Sequence, residues 1–207
     1  MITTETKQVE QLREEMHKAS ELAEKVIESY RIVNSSKRVA EIKNWYFATQ
    51  IFSITRIAGS DPAILANGTG FLGRRGYKHQ LIQKLDDNPR FLTEELADCM
   101  GLAAIIEKDH SKQLLFGHLY SKEVFSTLIS MIEYFGNREY KFNEVITSPL
   151  DSKFKQTPNL EKVRKLLIGV TPKFTELNRI IEGHSTMYAN KHGVILGNNT
   201  YQLWKND

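Results

Sequence analysis

The sequence predicts a mainly α-helical protein, a bundle of about six to seven helices with a small β-hairpin near its C-terminus. Three observations predict this fold class. Apolar residues follow a heptad repeat near the N-terminus, a similar 3-4 spacing recurs in the last third, and a segment between them is apolar around most of a helical circumference. The 207 residues, 41% of them hydrophobic and 26% charged, are expected to form one helical domain, 1–207.

The first helix is predicted from apolar residues spaced alternately three and four positions apart, which is the repeat of a coiled coil. These residues are Val9, Leu12, Met16, Ala19, Ala23, Val26, Tyr30 and Val33. Thr3 or Thr4 is expected to cap the helix, and residues 34–36 to end it. Because an apolar seam must be buried on something, we expect a homo-oligomer or a helical partner, with Leu12 and Met16 at the interface.

A second helix is predicted at about residues 37–58, and its apolar circumference indicates a central position in the bundle. Residues 59–76 contain five glycines and are predicted to form an irregular loop. A loop of this length is more often functional than accidental.

Three further helices are predicted in the middle of the chain, at residues 77–85, 93–110 and 121–136. The last of these begins at a serine cap and ends at a glycine. Residues 138–146 alternate enough to predict a short strand, and residues 147–158 form a polar connection.

The last long element repeats the 3-4 spacing of the first helix. Its apolar positions are Leu160, Val163, Leu167, Val170, Phe174, Leu177, Ile181, His184 and Tyr188. Thr171 and Pro172 resemble a fresh helix start, so the pattern predicts two helices end to end with a bend. Residues 194–196 and 201–204 flank Gly-Asn-Asn and predict the hairpin.

The charge balance neither requires nor excludes a polyanionic partner, since the chain has 28 basic and 25 acidic residues and a net charge of +3. The densest basic patch consists of Arg74 and Arg75 between two glycines, followed by Lys78 and His79. Such a patch suits nucleic acid or another anionic partner. The alternative is a solvated loop whose arginines pair with nearby carboxylates.

The chain has a single cysteine, Cys99, which cannot form an internal disulfide. No activating neighbour is visible in the sequence, so Cys99 is expected to be a buried packing residue rather than a nucleophile. No membrane-spanning run and no secretory signal are recognisable, and we expect a cytoplasmic protein. Signatures of metal-dependent and nucleotide-binding enzymes are absent from the sequence, and no cofactor is expected.

Two short patterns bear on function. Glu107 and His110 form a Glu-x-x-His pair of the kind used by di-iron bundles, but a second copy is absent, so a solvated helix end is expected. Residues 91–106 resemble a helix-turn-helix, with Gly101 in the tight turn, which implies a DNA-binding regulator. Residues 103–106 are apolar where a recognition helix is polar, so a plain helix is the alternative.

The spacing Arg-x-x-x-x-His occurs twice, at Arg74 with His79 and at Arg179 with His184. It resembles the motif of HEPN ribonucleases, small helical proteins that cleave RNA without a metal. The resemblance implies that His184 moves the proton of a 2′-hydroxyl while Arg179 holds the phosphate. The alternative is a core histidine, because His184 falls on the apolar seam.

Together these patterns favour a non-enzymatic helical assembly protein that self-associates through its heptad helices. A basic loop at Arg74 would be its second contact surface, for an anionic partner such as nucleic acid. A HEPN-like ribonuclease of the toxin or antiviral type is the alternative, and a helix-turn-helix regulator is the third interpretation. No catalytic residue and no metal ligand is assigned.

Overall fold

The computed structural model describes residues 3–34, 51–55, 63–66, 69–72, 80–93, 96, 99–120, 124–148, 160–177, 186–197 and 200–205. These residues form three α-helices and two β-sheets. The predicted all-helical bundle, with its coiled-coil character, is therefore wrong, and the protein is a mixed α/β structure.

The described elements follow one another along the chain with a 3₁₀ turn at Leu85–Asp87. They are α1 (Thr4–Asn34), β1 (Ile51–Thr55), β2 (Ala63–Ala66), β3 (Thr69–Leu72), β4 (Gln80–Lys84), β5 (Arg90–Thr93), β6 (Cys99–Lys108), β7 (Ser111–Tyr120), α2 (Val124–Gly136), β8 (Lys141–Thr147), α3 (Leu160–Val170), β9 (Phe174–Glu176), β10 (Met187–Asn190), β11 (Gly193–Leu196) and β12 (Thr200–Leu203).

The strands form a seven-stranded sheet A, in the order β1-β2-β3-β5-β10-β11-β12, and a five-stranded sheet B, in the order β4-β7-β6-β8-β9. Neighbouring strands are antiparallel except for the parallel pairs β3–β5 and β8–β9. The longest pairing is the hairpin of β6 and β7, whose two turn residues, Asp109 and His110, both have positive φ. That backbone conformation matches the right-handed twist of a two-residue hairpin.

The sheets stack face to face, and their contact forms one of two hydrophobic cores. Alternate residues of β6, including Ala103 and Ile105, face sheet A across this gap. The residues between them, including Leu102 and Ala104, face α2 and α3 in the second core. Helix α1 contacts β5, β10 and β11 of sheet A. The described part of the chain is therefore layered as α1, sheet A, sheet B, and the pair α2 and α3.

Helix α1 confirms the predicted first helix but not the predicted use of its seam. The Thr6 amide donates to Thr3 Oγ1 over 3.1 Å, which is the expected cap. Val9, Leu12, Met16 and Ala19 are at most 5% exposed. These heptad positions are buried in the chain itself, against sheet A, so this half of the seam needs no second chain to cover it.

The middle of the chain is where the predicted helices fail. Strand β1 lies within the predicted second helix, and β2 and β3 lie within the predicted loop 59–76. Strand β4 replaces the short helix, and β5 and β6 replace the helix at 93–110. A short apolar run buried on both faces does not distinguish a strand from a helix. The rest of the predicted second helix and most of the polar connection lie outside the described residues.

The correction of β6 also removes two functional hypotheses. Ala103 and Ala104 are fully buried strand residues, so the helix-turn-helix resemblance is wrong. Glu107 lies near the end of β6 and His110 lies in the hairpin turn, so they do not share a helical face. No cluster of potential metal ligands occurs among the described residues.

The prediction for the C-terminal region is partly confirmed. Helix α3 confirms the first of the two predicted end-to-end helices, but β9 and β10 replace the second. Thr171 does not begin a helix: its hydroxyl donates to the Asn143 carbonyl over 3.0 Å and ties the chain to β8. The predicted hairpin is confirmed by the pairing of β11 with β12. Helix α2 and the short strand β8 also confirm their predictions.

Candidate active site

Three polar or nucleophilic side chains meet at one end of the gap between the sheets. Thr93 is the last residue of β5 in sheet A, Cys99 is the first residue of β6, and His118 lies near the end of β7 in sheet B. They are 1%, 8% and 0% exposed, respectively. A cluster of this composition in an apolar gap requires a structural or chemical reason.

The strand pleat places Cys99 and His118 on the same face of sheet B. Cys99 and Phe116 both belong to the core between the sheets. His118 is two residues after Phe116 on β7, and every second residue of a strand lies on the same face, so His118 shares that face. In the register of the hairpin, Cys99 pairs with Tyr120 and Gly101 pairs with His118. Cys99 and His118 are therefore diagonal neighbours on adjacent strands, a spacing that side chains can bridge. Gly101 itself has no side chain, and the space over it is filled by Met187 and Leu96.

His118 is oriented by a hydroxyl from the other sheet. Thr93 Oγ1 and His118 Nδ1 are 2.6 Å apart, a short hydrogen bond between two buried groups. The other ring nitrogen, Nε2, is buried and has no hydrogen-bond partner among the described residues. Leaving such a group unpaired costs about 1–3 kcal/mol, so an unpaired Nε2 is a candidate for a function that uses it.

Burial also fixes the charge of this histidine. Desolvation lowers the pKa of His118 from 6.5 to about 4. The ring is therefore neutral at pH 7 and carries a single N–H. When Nδ1 carries that hydrogen and donates it to Thr93 Oγ1, Nε2 presents a lone pair that can accept a proton. The site thus contains an imidazole that is unprotonated at neutral pH, and its low pKa makes it a weaker base than a solvated histidine.

A thiol, an imidazole and a hydroxyl that holds the imidazole are the residue types of a nucleophile, a base and an orienting group. We call Cys99, His118 and Thr93 the triad, of which the Thr93–His118 bond is formed in the structure. His118 Nε2 and the Cys99 thiol are not hydrogen-bonded to each other in the structure. Catalytic hydrogen bonds are often long before substrate binds, and the diagonal placement allows this one to form.

The strand that carries Cys99 is fastened from the opposite side by Ser148, which directly follows β8. The Gly101 amide donates to Ser148 Oγ over 2.9 Å, and the Ser148 amide donates to the Gly101 carbonyl over 2.8 Å. Ser148 is only 3% exposed. These two bonds fix Gly101, and the backbone beside Cys99 and His118, at the edge of the gap.

A second polar cluster joins α1 to sheet A. Glu15 Oε2 accepts from the Tyr188 hydroxyl over 2.7 Å and from Asn190 Nδ2 over 2.9 Å, and Oε1 accepts from Gln11 Nε2 over 2.8 Å. Burial works to raise the pKa of Glu15, but these hydrogen bonds and the charge of Arg90 hold that pKa below its usual value. Since Glu15 already accepts bonds on both oxygens, this cluster anchors the helix.

The residues predicted as sites have different outcomes. Arg74, Arg75, Lys78 and His79 lie outside the described residues, and so do Arg179 and His184. Leu12 and Met16 lie in α1 and are buried on sheet A. None of these residues belongs to the triad.

Cys99 is buried in the hydrophobic core between the sheets, as predicted for a packing residue, and it is also a diagonal neighbour of His118. Thr93 was missed because a helix was wrongly predicted over residues 93–110, and His118 was missed because no strand was predicted over residues 111–120. The available signal was modest: residues 114–119 are apolar except for Gly117 and His118, which suits a buried strand with one polar position.

Comparison with known proteins adds no relative: a scan against models of protein families finds no match, and neither does a search of curated proteins. Among the described residues, no helix is long and apolar enough to cross a membrane.

Proposed function

We propose that the protein is a cysteine-dependent hydrolase that cleaves an amide or ester bond through a thioester on Cys99. The observation that carries the proposal is the 2.6 Å bond between Thr93 Oγ1 and His118 Nδ1. It leaves a buried, unpartnered Nε2 on the face that also holds the thiol. An imidazole held in this way is suited to take the proton of a neighbouring nucleophile.

The first half of the reaction forms the thioester. Cys99 Sγ attacks the carbonyl carbon while His118 Nε2 takes the thiol proton. When the tetrahedral intermediate collapses, the bond from carbon to nitrogen or oxygen breaks. His118 then gives its proton to the leaving group, which departs as an amine, ammonia or an alcohol.

The second half releases the acyl group. His118 Nε2 takes a proton from a water molecule, and the resulting oxygen nucleophile attacks the thioester carbon. The carbon–sulfur bond breaks, the carboxylic acid departs, and the proton on His118 returns to Cys99. Thr93 takes no part in bond making. Its hydroxyl holds the ring in one orientation through both halves and stabilises the imidazolium that forms in each.

The charge state favours proton transfer during attack over a stored thiolate and imidazolium pair. Burial lowers the pKa of His118 to about 4, so a resident imidazolium is disfavoured at pH 7. The thiol is then activated only when a carbonyl group is present to share the developing charge.

The test of this proposal is hydrolysis of p-nitrophenyl acetate by purified variants. We expect Cys99→Ala to abolish catalysis and His118→Ala to reduce kcat/KM roughly 10²–10⁴-fold, because each removes a reacting group. Thr93→Val should reduce it by a smaller factor, since the base remains but loses its orienting bond. His110→Ala is the matched control, because it removes an exposed histidine from the turn of the same hairpin.

Covalent trapping provides the second readout. Cys99 is the only cysteine in the chain, so mass spectrometry after brief turnover reports acylation at this residue without interference from other thiols. An acyl adduct that accumulates in wild type and is absent in Cys99→Ala supports the proposal. Equal hydrolysis by wild type, Cys99→Ala and His118→Ala would overturn it.

This proposal differs from the non-enzymatic assembly role that the sequence favoured. Self-association, nucleic-acid binding through Arg74, Arg75, Lys78 and His79, and cytoplasmic location stay predictions that rest on the sequence alone. The ribonuclease alternative through Arg179 and His184 rests on the sequence alone as well.

A further inference from the structure

The space over Gly101, beside Cys99 and His118, is occupied by the side chains of Met187 and Leu96. Met187 is the first residue of β10 and pairs in register with Thr93 on β5, so the two side chains share a face of sheet A. Thr93 reaches His118 across the gap, and Met187 belongs to the same core between the sheets. Met187 therefore projects toward sheet B immediately beside the triad.

The packing around Gly101 locates the Met187 thioether. A Cβ placed on Gly101 would lie 2.4 Å from Met187 Sδ and 2.8 Å from Leu96 Cδ1. These two side chains thus fill the space where any other residue at position 101 would place its own side chain. Because Gly101 pairs with His118 and lies two residues after Cys99, that space is directly over the diagonal between thiol and imidazole.

A substrate must share this space. The carbonyl carbon has to approach within about 3–3.5 Å of the attacking sulfur, with the base on the same side. The substituent that the carbonyl carries then meets Met187 or Leu96. Both are almost fully buried, Met187 at 0% and Leu96 at 1% exposed. Methionine is unbranched and has three rotatable bonds, so it yields more readily than a branched leucine.

We propose that Met187 is the specificity-determining residue of this site, and that it restricts the acyl group on Cys99 to small or slender groups. The restriction of the acyl group rests on the proposed function, because only a hydrolase of this kind forms an acyl group on Cys99. The steric part depends only on the position of Met187 over Gly101, which pairs with His118 and lies two residues after Cys99. Shortening Met187 enlarges the acyl-binding space, whereas shortening a methionine on the other face of β6 does not.

The experiment compares two reagents that alkylate thiols, small iodoacetamide and bulky N-phenylmaleimide. In Met187→Ala the rate with the maleimide relative to iodoacetamide should rise at least about tenfold, the scale that pocket size differences reach. Met100→Ala is the matched control. Met100 is also fully buried and adjacent to Cys99, but it faces α2 and α3, so its removal should leave the ratio within about twofold.

A second, less disruptive variant tests the same inference in case Met187→Ala does not fold. Met187→Val leaves a shorter apolar side chain in the core and should move the ratio in the same direction by a smaller factor. A ratio that is unchanged in both Met187 variants, or that rises equally in Met100→Ala, overturns the inference.

Ester hydrolysis distinguishes the failure of the inference from the failure of the proposed function. Met187→Ala should improve kcat/KM for p-nitrophenyl octanoate relative to acetate, whereas Met100→Ala should not. If no variant hydrolyses either ester but the alkylation ratio shifts as expected, the hydrolase proposal fails and the steric role of Met187 stands. If hydrolysis depends on Cys99 but the preference for chain length is unchanged in Met187→Ala, the hydrolase proposal stands and the specificity role of Met187 fails.

Discussion

His118 is a buried base whose surroundings exclude its charged form. In the unfolded chain its pKa returns to about 6.5, whereas in the folded protein burial lowers it to about 4. Between these values the unfolded chain binds a proton that the folded chain does not. Stability from this group is therefore fully present above about pH 6.5 and is lost as the pH falls toward about 4.

This linkage gives a prediction. On lowering the pH from about 7 to about 4, His118 should cost the wild type about 3 kcal/mol of unfolding free energy. The measurement is urea unfolding at several pH values, for wild type and for His118→Gln, whose side chain does not titrate. The difference between the two curves isolates His118, because the other groups titrate in both proteins. Parallel curves would show that His118 is not desolvated in the folded protein.

At the scale of single residues, the sequence predicted the burial of Cys99 but not its neighbours. Thr93 and His118 are separated by 25 positions and lie on strands of different sheets. Their contact depends on how the sheets stack, which no local spacing encodes. The absence of an activating residue near a cysteine in the sequence is thus weak evidence that the cysteine is not a nucleophile.

Among the elements, α1 is held to sheet A by apolar contacts and by two partly buried hydrogen bonds to Glu15, from Tyr188 and from Asn190. The Tyr188 hydroxyl donates to Glu15 over a separation of 173 residues. Burial and the bond to Glu15 both raise the pKa of Tyr188, so it stays protonated and remains a donor. The bond therefore persists across the range in which the protein folds.

Removing this donor should destabilise the protein. Tyr188→Phe keeps the ring and leaves Glu15 Oε2 with the Asn190 bond alone, so we expect a loss of roughly 1.5–3 kcal/mol, the range for bonds to a charged group. Tyr134→Phe is the matched control, because Tyr134 is half exposed on α2. Chemical denaturation measures both variants. Equal effects of the two would mean that the bond to Glu15 contributes nothing specific to folding.

The helices that the sequence predicted correctly have one buried face. Helices α1, α2 and α3 carry their buried residues on a helical stripe, and periodicity finds such stripes. Strand β6 is different, because a core lies on each of its faces and its sequence reads as a continuous apolar run. A run of this kind carries no alternation, so only the pairing with β7 and β8 identifies it as a strand.

For the whole molecule, the stacking of the layers determines which distant segments pair, and local sequence patterns do not predict this. Sheet A joins β5 to β10, which are separated by most of sheet B and by α2 and α3 in the chain. Such long-range pairings leave no local signature, so the prediction of separate helices had no constraint to correct it. The same stacking brings Thr93 and His118 together, since Thr93 comes from one sheet and His118 from the other.

The layered arrangement also changes what the N-terminal heptads are expected to do. Leu12 is 0% exposed against sheet A. Leu12→Ala should therefore lower the unfolding free energy by about 2–5 kcal/mol through the cavity it leaves. Ile168→Ala, at a residue that is 61% exposed on α3, is the control and should change it by less than about 0.5 kcal/mol.

Protein concentration then separates a seam covered within one chain from a seam shared between chains. A subunit interface makes the melting temperature rise with concentration, because association stabilises the folded state by mass action. With Leu12 and Met16 covered by sheet A, we expect Leu12→Ala to lower the melting temperature by the same amount in dilute and concentrated samples. If wild type instead melts at higher temperature when concentrated, and Leu12→Ala removes that dependence, the heptad seam binds a second chain.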